Sequence, residues 1–264
     1  MTKKFTFILV MMIAAAYFMG CGKNKISIMM AGSTAFQPFA EKLAETYMES
    51  NDKVSITVQG GGSAVGIQSA NSGAADIGMA DLVELPAEAK NLTSTVVARD
   101  GIAMIVHPRN IVSGLTTDQI HDIFNGKIIN WKEVGGNDAS ITVVSREAGS
   151  GTRSSFESIV KDISLKKDAL IQDSNGTIRE TVANDVNGIG YLSHGLINYK
   201  IKAVKIDGVE STSENIISGK YKLVRPIFLL VKGGIQGEIK NFIDYILSPD
   251  GQEIIKTNGL LPAK

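Results

Sequence analysis

Hydrophobic positions along the chain follow two rhythms, short alternating runs and longer stripes with a period near 3.6. Ile26-Ser27-Ile28-Met29-Met30 is the first strand candidate, and Val54-Ser55-Ile56-Thr57-Val58 alternates as a half-buried strand does. Between them, Phe36, Phe39, Leu43 and Tyr47 fall on one helical face. Ala64 to Asn71 reads as a short helix closed by Gly73, and Ile77-Gly78-Met79 as a short buried strand. This alternation of strand and helix predicts an α/β architecture.

Two longer apolar strands punctuate the pattern, Gly101 to His107 (GIAMIVH) and Pro226 to Val231 (PIFLLV). The segment between them has its own strands, Ile141 to Val144 and Ile189 to Leu192. It also has its own helices, one starting near Thr117, showing Ile120, Ile123 and Phe124, and closing at Gly126. After Val231, residues 235–247 and 251–257 are helical in pattern. A chain that leaves one domain, builds a second and returns would use the two apolar strands as crossovers. The expected layout is a discontinuous first domain, residues 26–106 and 226–264, enclosing a second at 107–225. No internal repeat or low-complexity segment interrupts it.

The first twenty residues are a separate object. Lys3 and Lys4 precede an apolar stretch from Phe5 to Phe18, too short to span a bilayer comfortably and right for a signal-peptide core. It runs into Phe18-Met19-Gly20-Cys21, and Cys21 is the only cysteine of the chain. A plain signal peptide would explain the stretch. A sole cysteine directly after a small residue also resembles the lipobox of bacterial lipoproteins, with Phe18 where that motif prefers Leu. The expectation is a signal peptide at 1–20, a tether at 21–25 with Cys21 acylated, and a mature protein held outside the cytoplasm on the membrane. One cysteine leaves no structural disulfide.

Composition narrows the partners. Lys+Arg and Asp+Glu number 27 each in 264 residues, and the longest cationic runs are Lys3-Lys4 and Lys166-Lys167. That balance gives nucleic-acid binding no support.

Three segments share one design, a strand, a small Gly/Ser/Thr turn, then a helix. They are Ala31-Gly32-Ser33-Thr34-Ala35-Phe36, Gly60-Gly61-Gly62-Ser63-Ala64 and Arg146-Glu147-Ala148-Gly149-Ser150-Gly151-Thr152. Each places free backbone N–H groups and hydroxyls at a helix N-terminus, where the macrodipole favours an anion. Singly, each is an ordinary cap or turn; three together, one with an arginine, point to a shared oxyanion site. Other phosphate-handling motifs fit poorly. No lysine ends the Gly60–Gly66 run as a Walker A loop requires, and no acidic residue stands in the right context for a dinucleotide fold. Gly149-Ser150-Gly151 lacks the order of a nucleophile elbow. His107, His121 and His194 have no metal-ligand spacing and read as surface or packing residues. Trp131 reads as packing in a loop, Tyr191 as core, and Arg153 as a solvated first-turn residue.

Gly32-Ser33-Thr34-Ala35-Phe36-Gln37-Pro38, Gly62-Ser63, Asp76-Ile77-Gly78-Met79-Ala80-Asp81 and Arg146 to Arg153 resemble, in order, the motifs of the PstS-type phosphate-binding proteins. The likeness extends to Gly188-Ile189-Gly190-Tyr191 and to Leu247-Ser248-Pro249-Asp250-Gly251, and so covers nearly all of the mature chain. The resemblance implies a type II periplasmic-binding-protein fold, with two α/β domains, two crossover strands and the ligand in the cleft. It implies an extracytoplasmic protein, a monomer without cofactor or metal, that binds inorganic phosphate and delivers it to ABC permease subunits rather than catalysing a reaction. Carried over by position, Thr34 (hydroxyl), Ala35 (backbone N–H) and Ser63 would donate from one domain. Arg146, Ser150, Gly151 (backbone) and Thr152 would donate from the other, and Asp81 would be the one acceptor. The family often has an acidic residue two positions after the arginine; here that position is Ala148, which leaves Glu147 or a more distant group to orient Arg146.

The chemistry agrees with that carry-over. Fixed neutral dipoles and one arginine can replace an anion's hydration. Asp81 makes sense if the ligand brings a proton, as phosphate does near neutral pH and sulfate does not; its bland alternative is a helix cap. Arsenate also carries protons and stays open as a ligand. A secreted phosphatase would need a nucleophile with its base or a metal cluster, and Ser150 has no evident histidine partner. A surface adhesin or sensor that reuses the fold stays open as well.

Overall fold

The computed structural model describes residues 25–263, so the expected signal peptide, Cys21 and all of the tether except Lys25 lie outside the described residues. The first half-sheet is built by β1 (Ile26–Gly32), α1 (Gln37–Ser50), β2 (Val54–Gln59), α2 (Ser63–Ser72), β3 (Ile77–Asp81) and β4 (Leu92–Val106). There follow β5 (Gly114–Leu115), α3 (Thr117–Phe124), β6 (Thr142–Arg146), α4 (Gly151–Val160), β7 (Leu170–Gln172), α5 (Asn175–Asn184) and β8 (Gly188–Ser193). The short β9 (Lys202–Ala203), β10 (Lys205–Ile206) and α6 (Ser213–Ile217) lead to β11 (Val224–Lys232), α7 (Gly237–Leu247), α8 (Pro249–Thr257) and β12 (Leu261–Pro262).

The main sheet runs β2-β1-β3-β11-β4-β8-β6-β7. The βαβ crossovers make β1 parallel to β2 and β3, and β6 parallel to β7 and β8. β11 and β4 instead run antiparallel to each other in the middle of the sheet. β4 changes partner along its length. Leu92 to Gly101 pairs with β11, whereas Ile102 to Val106 pairs with β8.

Two larger cores follow that switch. Phe39, Leu43 and Tyr47 of α1 pack with Phe242, Ile246 and Ile255 of α7 and α8 over Ile28, Met30, Ile77 and Leu229. Ile120, Ile123 and Phe124 of α3 pack with Phe156 of α4 over Met104, Val143 and Tyr191. Smaller clusters under α2 and α5 cover the opposite faces of the two half-sheets. Both faces of the inner parallel strands β3, β6 and β8 are thereby buried, as an α/β fold requires. The predicted stripe of α1 is the buried one. The start near Thr117 is set by a capping box, in which Thr116 and Gln119 satisfy each other's backbone N–H at 3.1 and 2.9 Å. Trp131 is buried, as packing requires, but it opens a single 3-10 turn over Trp131–Val134 rather than lying in an irregular loop.

The structure differs from the sequence pattern in two places. β4 begins at Leu92 instead of Gly101, because Thr93, Ser94 and Thr95 pair with the apolar end of β11 without showing apolar alternation themselves. The pattern also passes over α5, which opens on Asn175-Gly176 and buries just Asn175, Ile178 and Val182.

Candidate functional site

Three helix N-termini meet where the two half-sheets face one another. α2 is held tightly down on β1 and β3 by glycine. A Cβ on Gly66 would lie 2.3 Å from the Met79 carbonyl oxygen, so no larger residue permits that approach. This seats Ser63, the first residue of α2, directly against Asp81 at the end of β3. Ser63 Oγ donates to Asp81 Oδ1 at 2.7 Å and accepts from the Asp81 N–H at 3.0 Å.

The first turn of α4 closes on the same residue from the other half. Thr152 Oγ1 donates to Asp81 Oδ2 at 3.1 Å, and Ser155 Oγ donates to the Asp81 carbonyl at 3.2 Å. Nearby, the Ala64 N–H donates to the Gly149 carbonyl at 3.1 Å. Ser150 is the cap of α4, its Oγ accepting from the Arg153 N–H at 3.2 Å. Arg153 is half-buried rather than solvated, pairing with Glu157 at 2.7 Å and donating to the Arg146 carbonyl at 2.9 Å.

Arg146 ends β6 and is 1% exposed. Glu147 grips it in a fork, Oε2 on Nε and Oε1 on Nη2, both at 2.8 Å, while Nη2 also donates to the Asp173 carbonyl at 3.2 Å. Glu147 is therefore the group that orients this guanidinium, with Ala148 taking no part in it. Among the described residues, Arg146 Nη1 is left buried with no hydrogen-bond partner. Behind Arg146, the Tyr191 hydroxyl shares a 2.8 Å bond with Ser145, and its ring stacks on Phe156 at 4.4 Å. Burial pushes the Tyr191 phenol up to about 12, so it remains a neutral core group.

The first turn is engaged differently from the expectation. Ser33 Oγ accepts from the N–H groups of Ala35 and Phe36 at 3.2 and 3.1 Å, so the Ala35 N–H has an internal acceptor. Thr34 Oγ1 accepts from Asn175 Nδ2 at 3.0 Å, which ties α1's approach to the N-terminus of α5. Asn175 Oδ1 in turn accepts from the Ser193 N–H at 3.0 Å.

Sequence reasoning missed a second set of buried charges behind Asp81. Arg225 of β11 places Nη2 2.8 Å from Asp81 Oδ2 and 2.8 Å from Asp100 Oδ2. Ser193 Oγ donates to Asp100 Oδ1 at 2.8 Å. Loss of water raises the Asp100 pKa above the usual carboxylate range despite the pull of Arg225. The available signal was a charge immediately before each long apolar run, Asp100 (itself preceded by Arg99) before GIAMIVH and Arg225 before PIFLLV.

His107 and His121 take no part in this constellation; His194 follows Ser193 directly, and burial lowers its pKa against the pull of Asp100. No group of His, Cys, Asp or Glu among the described residues could hold a metal ion. His121 pairs with Asp122, and His107 Nδ1 accepts from the Arg109 N–H.

Two lobes of α/β structure with polar helix termini converging between them define a solute-binding protein. A family model described as the PBP superfamily domain matches residues 21–250, and the chain belongs to that superfamily. Within it the chain belongs to the PstS family. It is 37% identical over 241 residues to the phosphate-binding protein PstS of Bacillus subtilis, covering 89% of this chain and 80% of that one. Among solved structures, it resembles a phosphate ABC transporter substrate-binding protein with bound phosphate from Clostridium perfringens. That match has 43% identity and a TM-score of 0.88, covering 90% of this chain and 100% of that one. An ABC-type phosphate transport receptor from Vibrio cholerae matches at 35% identity and a TM-score of 0.74, over 89% and 99% of the two chains.

Proposed function

We propose that this protein captures inorganic phosphate outside the cytoplasm and delivers it to the permease subunits of an ABC importer, as a binder without catalysis. Its lobes, 26–106 with 226–264 and 107–225, close on the ligand, and contacts from both favour the closed state. Thr34, Ala35, Ser63, Arg146, Ser150, Gly151 and Thr152 surround the anion, with Asp81 as acceptor.

The observation that carries this reading is the Arg146 side chain. Its Nε and Nη2 are held in a fixed fork while Nη1 is buried without a protein acceptor. A buried donor left unpaired costs about 1–3 kcal/mol, and a tetrahedral oxyanion beside α4 supplies the missing acceptor. Asp81 then sets the proton requirement. A carboxylate offers roughly four lone-pair sites; Ser63 and Thr152 donate to two of them, and Arg225 lies against Oδ2 as an ion pair. A lone pair left over accepts a ligand O–H, which phosphate and arsenate have and sulfate lacks.

Titration calorimetry of residues 22–264 with phosphate and sulfate, after endogenous ligand is stripped by partial unfolding, tests the proposal. One-to-one phosphate binding with sulfate far weaker is expected, with phosphate binding lost in Arg146→Ala and the preference over sulfate lost in Asp81→Asn. Equal binding of the two anions would remove the role given to Asp81, and no binding of either would remove the function. Membrane anchoring rests on Cys21. Cys21→Ala is expected to move the protein from the membrane fraction to the medium, and retention on the membrane would rule the lipid anchor out.

A further inference from the structure

We propose that Arg225 is a positioning residue for anion selectivity, holding Asp81 as an acceptor aimed at the ligand's proton, with Asp100 and Ser193 fixing Arg225 in turn. This rests on the phosphate-binding reading of the Asp81 site. Asp81 is 2% exposed, and Asp100 and Arg225 are 1% exposed each. A carboxylate so far from water is costly to keep unless a cation is close. Here the cation is Arg225, 2.8 Å from Asp81 Oδ2.

What Asp81 offers the ligand decides which anion is accepted. As a carboxylate acceptor it takes a hydrogen bond from a protonated oxyanion and repels one with no proton. Selectivity therefore depends on the residue whose charge and position hold that acceptor in place, and that residue need not touch the anion.

Asp100 is the second half of the device. It competes for the same Arg225 nitrogen at 2.8 Å, and Ser193 Oγ donates to its other oxygen. Desolvation pushes Asp100 toward the protonated form. A less charged Asp100 leaves more of the guanidinium's charge to Asp81. Arg225 and Asp100 are also register partners on β11 and β4, at the point where β4 changes partner between the half-sheets. The acceptor is thus braced from the two strands that link the lobes.

The test is a double-mutant cycle. Phosphate and sulfate affinities are measured by calorimetry for the wild-type protein, Arg225→Gln, Asp81→Asn and the double variant, each first checked by thermal melting. Arg225→Gln is expected to lower the phosphate-over-sulfate ratio by about 10–100-fold. In the Asp81→Asn background the same change should leave the ratio nearly untouched. A loss of affinity for both anions with the ratio kept, or an equal shift of the ratio in both backgrounds, would overturn the proposal. Should Arg225→Gln fail to fold, Asp100→Asn carries the test, since it removes the competitor and keeps the shape. The ratio is then expected to hold or rise, and a fall of about tenfold would overturn the proposal. Wild-type protein that binds no phosphate would sink the underlying function as well, whereas selective wild-type binding with an unchanged Arg225→Gln ratio sinks the role of Arg225 alone.

Discussion

Gly151 opens α4 at the point where the two lobes touch, and Gly151→Ala separates closure from folding. A Cβ there would lie 2.1 Å from Ser63 Oγ, 2.5 Å from the Asp81 carbonyl oxygen and 2.8 Å from Asp81 Oδ1. Ordinary contact needs about 3.5 Å, so Ser63 has to retreat by more than an ångström. Its 2.7 Å bond to Asp81 breaks in the process. Leaving that buried pair unmade costs about 1–3 kcal/mol, or roughly 5–150-fold in Kd. The backbone N–H of residue 151 survives the substitution, so the loss reports the clash rather than a missing donor. In an open protein the methyl meets nothing from the other lobe. There, alanine in place of a helical glycine is worth about 0.5–1 kcal/mol of added stability. The expected signature is weaker phosphate binding by calorimetry together with an unchanged or higher melting temperature of the ligand-free protein. Phosphate affinity within about twofold of wild type would mean that the two lobes do not meet at Gly151 when ligand is bound.

Glu147→Gln removes the counter-charge of a buried arginine. Because Glu147 is itself partly exposed, the ligand-free protein is expected to lose about 1–2 kcal/mol, or roughly 4 °C in Tm. Phosphate should then stabilise the variant more than it stabilises wild type; an equal phosphate-induced shift in a melting assay would refute this. Asn175→Ala cuts the bridge from Thr34 to Ser193 and leaves a buried Ser193 N–H unpaired. A loss of about 1–3 kcal/mol in denaturant unfolding and several-fold weaker phosphate binding are expected. For Asp100 the folded-state pKa is raised, chiefly by desolvation. Its contribution to stability is therefore full below the unfolded carboxylate pKa and is lost as pH rises through the folded value. Asp100→Asn lacks that loss, so its Tm relative to wild type should be more favourable at pH 8 than at pH 4, and the opposite trend would reverse the sign of the shift.

What the sequence disclosed and what it hid divide along physical lines. Thr34, Ser63, Ser150 and Thr152 are legible because a Gly/Ser/Thr turn before a helix is a local signal, complete within a few residues. Arg146 is legible for the same reason, since the turn after it declares what its strand end is for. Arg225, Asp100, Ser193 and Asn175 carry no such signal. Arg225, Ser193 and Asn175 stand near the ends of β11, β8 and α5, where a polar residue ordinarily faces water, and Asp100 sits inside β4. Their meaning arises when β4, β8, β11 and α5 converge, across separations of up to 125 residues. Asp81 shows both sides. Its place after a short buried strand marks it as a candidate acceptor, yet the sequence gives no hint that its Oδ2 is shared between Thr152 and a buried arginine.

The buried charges also bear on how a nearly neutral cleft attracts an anion. Glu147 matches Arg146, and two carboxylates face the single guanidinium of Arg225, so the side chains around the site carry no excess of positive charge. Long-range attraction cannot be the source of affinity in such a cleft. What remains is short-range, namely an arginine nitrogen whose geometry is fixed in advance, the hydroxyls of Thr34 and Ser150, and helix dipoles that need no reorganisation when the ligand arrives. A site of that kind favours an anion by matching it donor for lone pair and proton for acceptor. A surplus of lysines would bind any dianion and lose that distinction. The near-equal charge count of the whole chain, uninformative when read as composition, is thus what a discriminating oxyanion site can tolerate.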